Sequence, residues 1–574
     1  MKLVIMQFID ADVLVIGGGT AGCLAAFRAR EASSDCKVVV LEKAHVERSG
    51  CLAGGLNAIN AFLHEGETPA SFVKYVRYDA RGLVREDLVL SIAEKLNKQV
   101  ELLEKWGVPI QKDEFGKYAK RGRWNVKIHG ESLKPLLAQK AMDSGAQIFN
   151  HVACTNLAKI GERVVGAFGF GVKDGKFYAV RAKSTIIATG GCSGLYRPNN
   201  PGGAKNKTWY SPFNTGAGFA MGLRSGAEMT SFEMRFIALR TKDVICPTGT
   251  LALGFGAKQV NSSGLEYLSE KYAKLGGEKA PSCIRVFAPT LENKEGRGPC
   301  YLDTTHLSAE QVLKLKEAYL DMYPNIVLYW ASNNFDPSLE KVEVTGTEPY
   351  VVGGHCQSGF WVSSNRSTTL KGLFAAGDVA GGASYKFVSG VMAEGQIASE
   401  GAVKFALQQE FAPEEEFQKL AEEEKTRVFK PLENNQVENT VFPSQFEERI
   451  QKVLDEYAGG ISAFYELNGE KLVVARKKLE SAVSQQKFLA AKNLHDLELA
   501  HSVIDRLLVA RVLVEHLLYR KETRWKGFQT RADFPEKDDS RWSVFVNSIL
   551  EKNVVKIIER PYEQIVSGDR YASK

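Results

Sequence analysis

The pattern of apolar positions changes period within a few residues near the start of the chain. Val13-Leu-Val-Ile16 is an uninterrupted apolar run. Gly17-Gly-Gly19-Thr-Ala-Gly22 follows, and Cys23-Leu-Ala-Ala-Phe-Arg-Ala-Arg-Glu31 has the make-up of a helix. A buried strand, a tight turn and a helix are expected in that order. Lys37-Val-Val-Val-Leu41 is a second apolar run and ends at Glu42. Two strands flanking one helix form a βαβ unit of a parallel sheet. Similar runs return far along the chain. Thr185-Ile-Ile-Ala188 leads into Thr189-Gly-Gly191, and Gly372-Leu-Phe-Ala-Ala376 leads into Gly377-Asp378. The sheet is therefore expected to be assembled from distant parts of the sequence.

Between these runs the pattern is interrupted. From about 210 to 345 a helical stretch (308–323) alternates with loops rich in Gly and Pro, which reads as an inserted capping domain. From 413 to 425 the chain is dense in charge and reads as a solvated stretch. Beyond it Leu497, Val503, Ile504, Leu507, Leu508, Leu513, Leu517 and Leu518 recur at helical spacing, as core positions of a helical bundle. The expected fold is α/β: a Rossmann-like nucleotide-binding domain (1–210 and 346–412), an inserted α+β capping domain (211–345) and a C-terminal helical domain (413–574).

Composition narrows the function classes. The chain has 574 residues, 44% hydrophobic and 25% charged, as in a folded globular protein. Its net charge of +6 is far below the basic density of a nucleic-acid binder. The nine cysteines are scattered and contain no CxxC, which argues against a disulfide framework and against a zinc or iron–sulfur site held by this chain alone. No apolar run reaches about 18 residues, and the stretch before Asp12 is too short for a leader, so a cytoplasmic protein without transmembrane segments is expected.

Gly17-x-Gly19-x-x-Gly22 after a strand, with Glu42 twenty residues beyond Gly22 at the end of the next strand, is the dinucleotide fingerprint. Gly17 makes the turn, Gly19 admits a pyrophosphate, and Gly22 lets helix and strand close together. Glu42 can accept ribose hydroxyls. The later motif Leu373-Phe-Ala-Ala-Gly-Asp378-Val-Ala-Gly-Gly, with Ala188-Thr189-Gly190-Gly191 as the matching earlier turn, points to FAD rather than NAD. No second GxGxxG occurs near 160–200, which argues against a separate NAD(P)H site.

The arrangement resembles the fumarate reductase/succinate dehydrogenase flavoprotein superfamily, and Glu522-Thr-Arg-Trp-Lys-Gly-Phe-Gln-Thr-Arg-Ala-Asp-Phe-Pro535 is similar to its C-terminal signature. Within it the chain is most similar to the alpha-subunit family of dissimilatory adenylylsulfate (APS) reductases. The stretches that carry the likeness include Val46–Gly50, Gly55–Asn60, Ile128–Ser132, Thr208-Trp-Tyr210, Phe232–Ile237, Glu348-Pro-Tyr350 with His355, and Tyr385–Gly390. The histidine that anchors FAD covalently in complex II relatives is absent from Glu47-Arg-Ser-Gly-Cys51, so FAD is expected to be non-covalent. Cys246-Pro-Thr-Gly249 and Ala383–Phe387 replace the motifs that clamp a dicarboxylate.

The resemblance implies reduction of APS to sulfite and AMP, or the reverse, through a flavin N5–sulfite adduct. It implies a pocket formed by Asn60, Glu131, Trp209, Arg240 and His355. Arg240 and His355 would stabilise the anhydride's oxygens, Trp209 would pack a flat ring, and Asn60 and Glu131 would orient. Each also has an ordinary structural reading: packing for Trp209, an ion pair for Arg240, a Gly-rich turn for His355, a helix start for Glu131 and a satisfied amide for Asn60. The cofactor is expected against Gly17, Gly19, Thr20, Ala21, Gly22, Glu42, Lys43, Ser49, Gly50, Gly55, Asn57, Ala188, Thr189, Gly190, Gly377, Asp378, Ser389 and Gly390. A ferredoxin-like beta subunit with two [4Fe–4S] clusters is the implied electron partner. Two other readings stay open: a fumarate-reductase-like subunit acting on another organic acid, and an electron-transfer subunit of a larger complex.

Overall fold

The computed structural model describes residues 4–198, 210–242, 244, 251–434 and 439–568. At its centre is a seven-stranded sheet. Gln147–Asn150, Val38–Glu42, Met6–Ile16, Phe177–Ile187, Arg163–Gly171 and Val152–Ile160 lie in that order, and Leu373–Ala375 pairs with Phe177–Ile187. The pairs through Met6–Ile16 are parallel, in the register Val13↔Val38 and Val13↔Ser184. Val13 to Val15 and Val38 to Leu41 are buried, as continuous apolar strands of a covered parallel sheet must be. The late strand Leu373–Ala375 adds in parallel at Leu373↔Thr185, so the sheet is indeed assembled from distant segments.

Thr20–Ala32 and Phe387–Ala406 cross on one face of this sheet. They meet closely because Gly395 has no side chain: a Cβ there would lie 2.6 Å from the Ala21 carbonyl oxygen. A small three-stranded sheet (Ala58–Asn60, Asn125–Lys127, Lys120–Arg121) sits beside the nucleotide fold.

The inserted region carries its own antiparallel sheet, ordered Leu239–Thr241, Val342–Gly346, Cys300–Asp303 and Lys258–Val260. Helices Ser282–Lys294, Ala309–Met322 and Asn325–Ser332 accompany it. The helix expected over 308–323 runs Ala309–Met322. It starts there because the Ser308 side chain accepts from Gln311 N–H while Gln311 reaches back to Ser308 N–H, a capping box.

The leucine-rich stretch forms one helix, Leu494–Tyr519, with Leu497, Val503, Leu507, Leu513 and Leu517 buried. Two features depart from the expectation. The charge-rich stretch is not simply solvated: it opens a helix, Glu414–Glu433, that buries Phe417, Ala421, Glu424 and Val428 along one stripe. The C-terminal part also contributes an antiparallel hairpin, Val544–Glu551 with Val554–Pro561, which extends a sheet through Met229–Thr230 to Gly359–Phe360.

Candidate active site

The dinucleotide turn is built by close backbone packing. Gly17 has φ +98°, a conformation that L side chains rarely adopt. A Cβ on Gly22 would stand 1.8 Å from the Gly17 carbonyl oxygen, so only hydrogen fits there. Gly19 is different: a Cβ there would meet no protein atom within 4 Å. Its open side faces a cavity of about 640 Å³ that Gly17, Gly19, Thr20 and Ala21 help to line. Gly19 is also the N-cap of Thr20–Ala32, and no side chain caps that helix. The first N–H groups and the positive end of the helix dipole therefore meet the cavity, which suits a pyrophosphate.

The intervening Gly18 peptide is clamped. Its N–H donates to Glu42 Oε2 at 2.7 Å, and its carbonyl accepts from Lys134 Nζ at 2.8 Å and Ser49 Oγ at 3.2 Å. Glu42 Oε1 accepts from Ala44 N–H at 2.7 Å. Glu42 thus braces the turn while its edge lines the cavity, where ribose hydroxyls can donate to its remaining lone pairs.

A second turn, Gly377–Val379, lies against the first: a Cβ on Gly377 would stand 3.0 Å from Ala21 Cβ. Gly377 N–H donates to Glu394 Oε2 at 2.9 Å. Lys386 Nζ donates to the Gly377 and Ala380 carbonyls at 3.0 and 2.7 Å and pairs with Glu394 at 2.9 Å. Arg366 holds the other Glu394 oxygen at 3.0 Å, and all three side chains are fully buried. Asp378 lines the cavity and accepts from Tyr210 O–H at 2.7 Å. Burial, aided by Asp378, keeps the Tyr210 phenol well above its usual range, so it stays a donor. Tyr385 and Phe387, either side of Lys386, line the cavity while the lysine is turned away from it.

Most residues expected to contact the cofactor come together here. Lys43, Ser49, Gly50, Gly55, Ala188, Thr189, Gly190 and Gly377 line this one cavity with the residues already named. Lys43 also pairs with Glu498 at 3.2 Å. Four lie behind the wall instead. Gly22 supports the turn, Asn57 Oδ1 accepts from Arg121, Ser389 N–H donates to Asn60 Oδ1, and Gly390 packs near Ile92.

The five substrate candidates are placed less uniformly. His355 lines the cavity between the rings of Phe236 and Phe387, with centroids 4.6 and 5.2 Å away. Burial lowers its pKa, only partly opposed by Asp378, so the neutral imidazole is favoured. Asn60 is fully buried and joins the small sheet to the Phe387–Ala406 helix, donating to Tyr385 O at 3.3 Å and accepting from Ser389 N–H at 3.2 Å. Arg240 is fully buried on Leu239–Thr241, next to the cavity-lining Leu239. Glu131 is exposed, just before the helix Leu133–Asp143, and is not among the lining residues. Trp209 and Cys246–Gly249 lie outside the described residues.

Sequence reasoning missed several lining residues: Arg121, Asn125, Asp79, Arg285, Tyr385 and Phe387. Tyr385 and Phe387 sit inside the quoted Tyr385–Gly390 stretch, which was the signal available for them. The C-terminal signature supplies Phe528 to the same wall, while Trp525 Nε1 donates to the Ala80 carbonyl at 2.9 Å.

Comparison with known proteins agrees with this geometry. The family model described as "FAD binding domain" matches residues 12–389. The adenylylsulfate reductase subunit alpha of Megalodesulfovibrio gigas is 33% identical, over 98% of this chain and 96% of the relative. That alignment runs over 649 positions, more than the 574 residues here, so the relative carries segments this chain lacks. The solved structure of adenylylsulfate reductase from Archaeoglobus fulgidus superposes with a TM-score of 0.94 at 36% identity, covering 99% of this chain and 98% of that one. A structure of adenosine-5-phosphosulfate reductase in complex with sulfite as a covalent adduct gives 0.94 at 37%, covering 98% of both chains. At 20% identity, E. coli quinol fumarate reductase shares the fold, with a TM-score of 0.84. The chain belongs to the FAD binding domain family and, within it, to the alpha-subunit family of adenylylsulfate reductases.

Proposed function

We propose that this chain is the catalytic flavoprotein subunit that reduces APS to sulfite and AMP, or runs the reverse reaction. FAD is its cofactor. The observation that carries the reading is a single cavity with two chemically different ends, in a chain that matches its APS reductase relatives over nearly its whole length. One end has the open Gly19 cradle and Glu42. The other has His355, Arg121 and Arg285 between two walls of the fold.

Bound FAD supplies the two-electron chemistry. The chain's own part is positioning and charge. His355, kept neutral by burial, can donate one N–H to an oxyanion without adding a full charge. Arg240, Trp209 and Glu131 retain the substrate roles implied by the family likeness, as proposals. Asn60 acts through the backbone: it fixes Tyr385 and Ser389 and so sets the wall beside Asp378. The apolar rings of Phe236, Phe387 and Phe528 keep this end poor in water. Absence of the attaching histidine from Glu47–Cys51 supports non-covalent FAD.

A dicarboxylate is less well served. In the segment Ala383–Phe387 the one cation, Lys386, is committed to Gly377, Ala380 and Glu394. As an alpha-subunit family member, the chain implies a partner beta subunit. We propose that this partner carries two [4Fe–4S] clusters and that the pair works in the cytoplasm. No helix among the described residues is long and apolar enough to cross a membrane.

The direct test runs in reverse. Oxidised, FAD-loaded full chain is given sulfite and ferricyanide, with and without AMP. The expected result is ferricyanide reduction that needs sulfite and rises with AMP. Indifference to AMP, together with reoxidation of the reduced flavin by an enoate, would favour the organic-acid reading.

A further inference from the structure

Several buried arginines of this fold are matched to acceptors. Arg77 pairs with Glu86, Arg366 with Glu394, Arg520 with Glu233 and Arg524 with Glu522. Arg235 lacks a carboxylate but donates to the carbonyls of Phe528, Ala458, Gly459 and Tyr465 and to Tyr196 Oη. Arg121 is held differently. Among the described residues its guanidinium makes one hydrogen bond, Nη1 to Asn57 Oδ1 at 2.6 Å, and the residue lines the cavity. Burial lowers its proton affinity, and the groups that oppose this are the phenols Tyr319 and Tyr385, with no carboxylate among them.

A guanidinium carries five N–H donors in a fixed plane. Leaving most of them unmatched in a largely buried place is costly unless a ligand completes the set. Arg285, the other arginine on this wall, is more committed: it donates to Ala280 O at 3.1 Å and Glu278 O at 3.0 Å. Asn57 takes one Arg121 donor and so fixes the plane of the fork. That is how a bidentate oxyanion site is prepared.

The register locates this fork. Asn60 pairs with Asn125 and Asn125 pairs with Arg121, so the three stand in a row across the small sheet. Two strand spacings put the Arg121 backbone about 10 Å from that of Asn60. Asn60 holds the backbone of Tyr385 and Ser389, and Arg121 stands between Tyr385 of that wall and Tyr319 of the capping region. We propose that Arg121 is a specificity-determining residue whose fork binds the phosphate of the AMP half of the substrate. This rests on the APS reading; the more general content is an oxyanion site at Arg121.

The test uses FAD-loaded full chains of wild type, Arg121→Met and Arg121→Lys. Binding of AMP and of adenosine is followed by calorimetry, and the response of the flavin spectrum to sulfite alone serves as the control. The Met variant is expected to bind AMP at least tenfold more weakly, with adenosine binding and the sulfite response unchanged. The Lys variant should recover part of the loss, since it restores the charge but not the fork. If the Met variant keeps its FAD and its sulfite response and still prefers AMP over adenosine as strongly as wild type, the proposal is overturned. If wild type itself shows no preference for AMP, the APS reading fails instead. Inorganic sulfate then decides the oxyanion site: a tenfold weaker sulfate effect on the flavin spectrum in the Met variant sustains it, and an equal effect removes it.

Discussion

Gly19 and Gly22 lie three residues apart in one turn, yet their substitutions should fail for opposite reasons. Gly19 has φ −69°, which any L residue can adopt, and a Cβ there points into open cavity. Gly19→Val should therefore leave the apo protein's melting temperature near wild type while abolishing FAD retention. Gly22→Ala forces a Cβ against the Gly17 carbonyl. It should destabilise the apo protein by about 1–3 kcal/mol or more, the usual range for overpacking. Thermal melts of both apo variants separate the cases. Equal destabilisation would mean that the Gly19 cradle is structural and not a ligand site. This contrast explains why the fingerprint was legible in sequence: each glycine answers a local backbone demand within one βαβ unit. Arg121 was not legible, because its lack of a carboxylate partner depends on what Asn57, Tyr319 and Tyr385 place around it.

Helices show a similar split. Ser308 and Gln311 announce the start of Ala309–Met322 directly in the sequence, since a capping box is local. The charge density of 413–425 points to solvent, yet the helix Glu414–Glu433 carries an apolar stripe at Phe417, Ala421 and Val428. Even Glu424 on that helix is buried, accepting from Thr155 Oγ1 at 2.7 Å and Asn156 Nδ2 at 2.9 Å. The stripe packs toward Leu494–Tyr519, where His501 contacts the Val428 carbonyl at 2.9 Å. Burial first, then Arg427, lowers the His501 pKa to about 4, with Val428 O and Glu424 opposing. The unfolded histidine titrates near 6.5, so below that pH the unfolded chain takes up a proton the native site refuses. Stability contributed by this site is present above pH 6.5 and lost as the pH falls toward 4, by roughly 3 kcal/mol in all. Urea midpoints of wild type and His501→Gln at pH 7 and pH 5 test the sign. The variant should lose less stability on acidification, and parallel losses would rule the site out as the cause.

At the scale of the molecule, the cavity is a meeting of segments that are far apart in sequence. The first βαβ unit supplies Gly19 and Glu42, the small sheet supplies Arg121, and the inserted region supplies Arg285 and Met322. His355 and Asp378 arrive with the return to the parallel sheet, and Phe528 comes from the C-terminal signature. Apolar runs were enough to foresee the sheet, because a parallel core needs continuous burial. They did not reveal the Val544–Pro561 hairpin, whose pairing with Met229–Thr230 is a long-range event. The segment after the hairpin is fastened too: Glu86 accepts from Ile565 N–H at 3.0 Å and Val566 N–H at 2.9 Å, and Arg77 donates to Gly568 O at 2.9 Å. The function of this assembled cavity is to transfer two electrons to APS. The most direct measurement is a single turnover without oxygen. FAD-loaded full chain is reduced chemically, freed of excess reductant and mixed with one equivalent of APS. Reoxidised flavin with one equivalent each of sulfite and AMP is the expected result. Flavin that stays reduced beside intact APS, yet is reoxidised by fumarate, would contradict it.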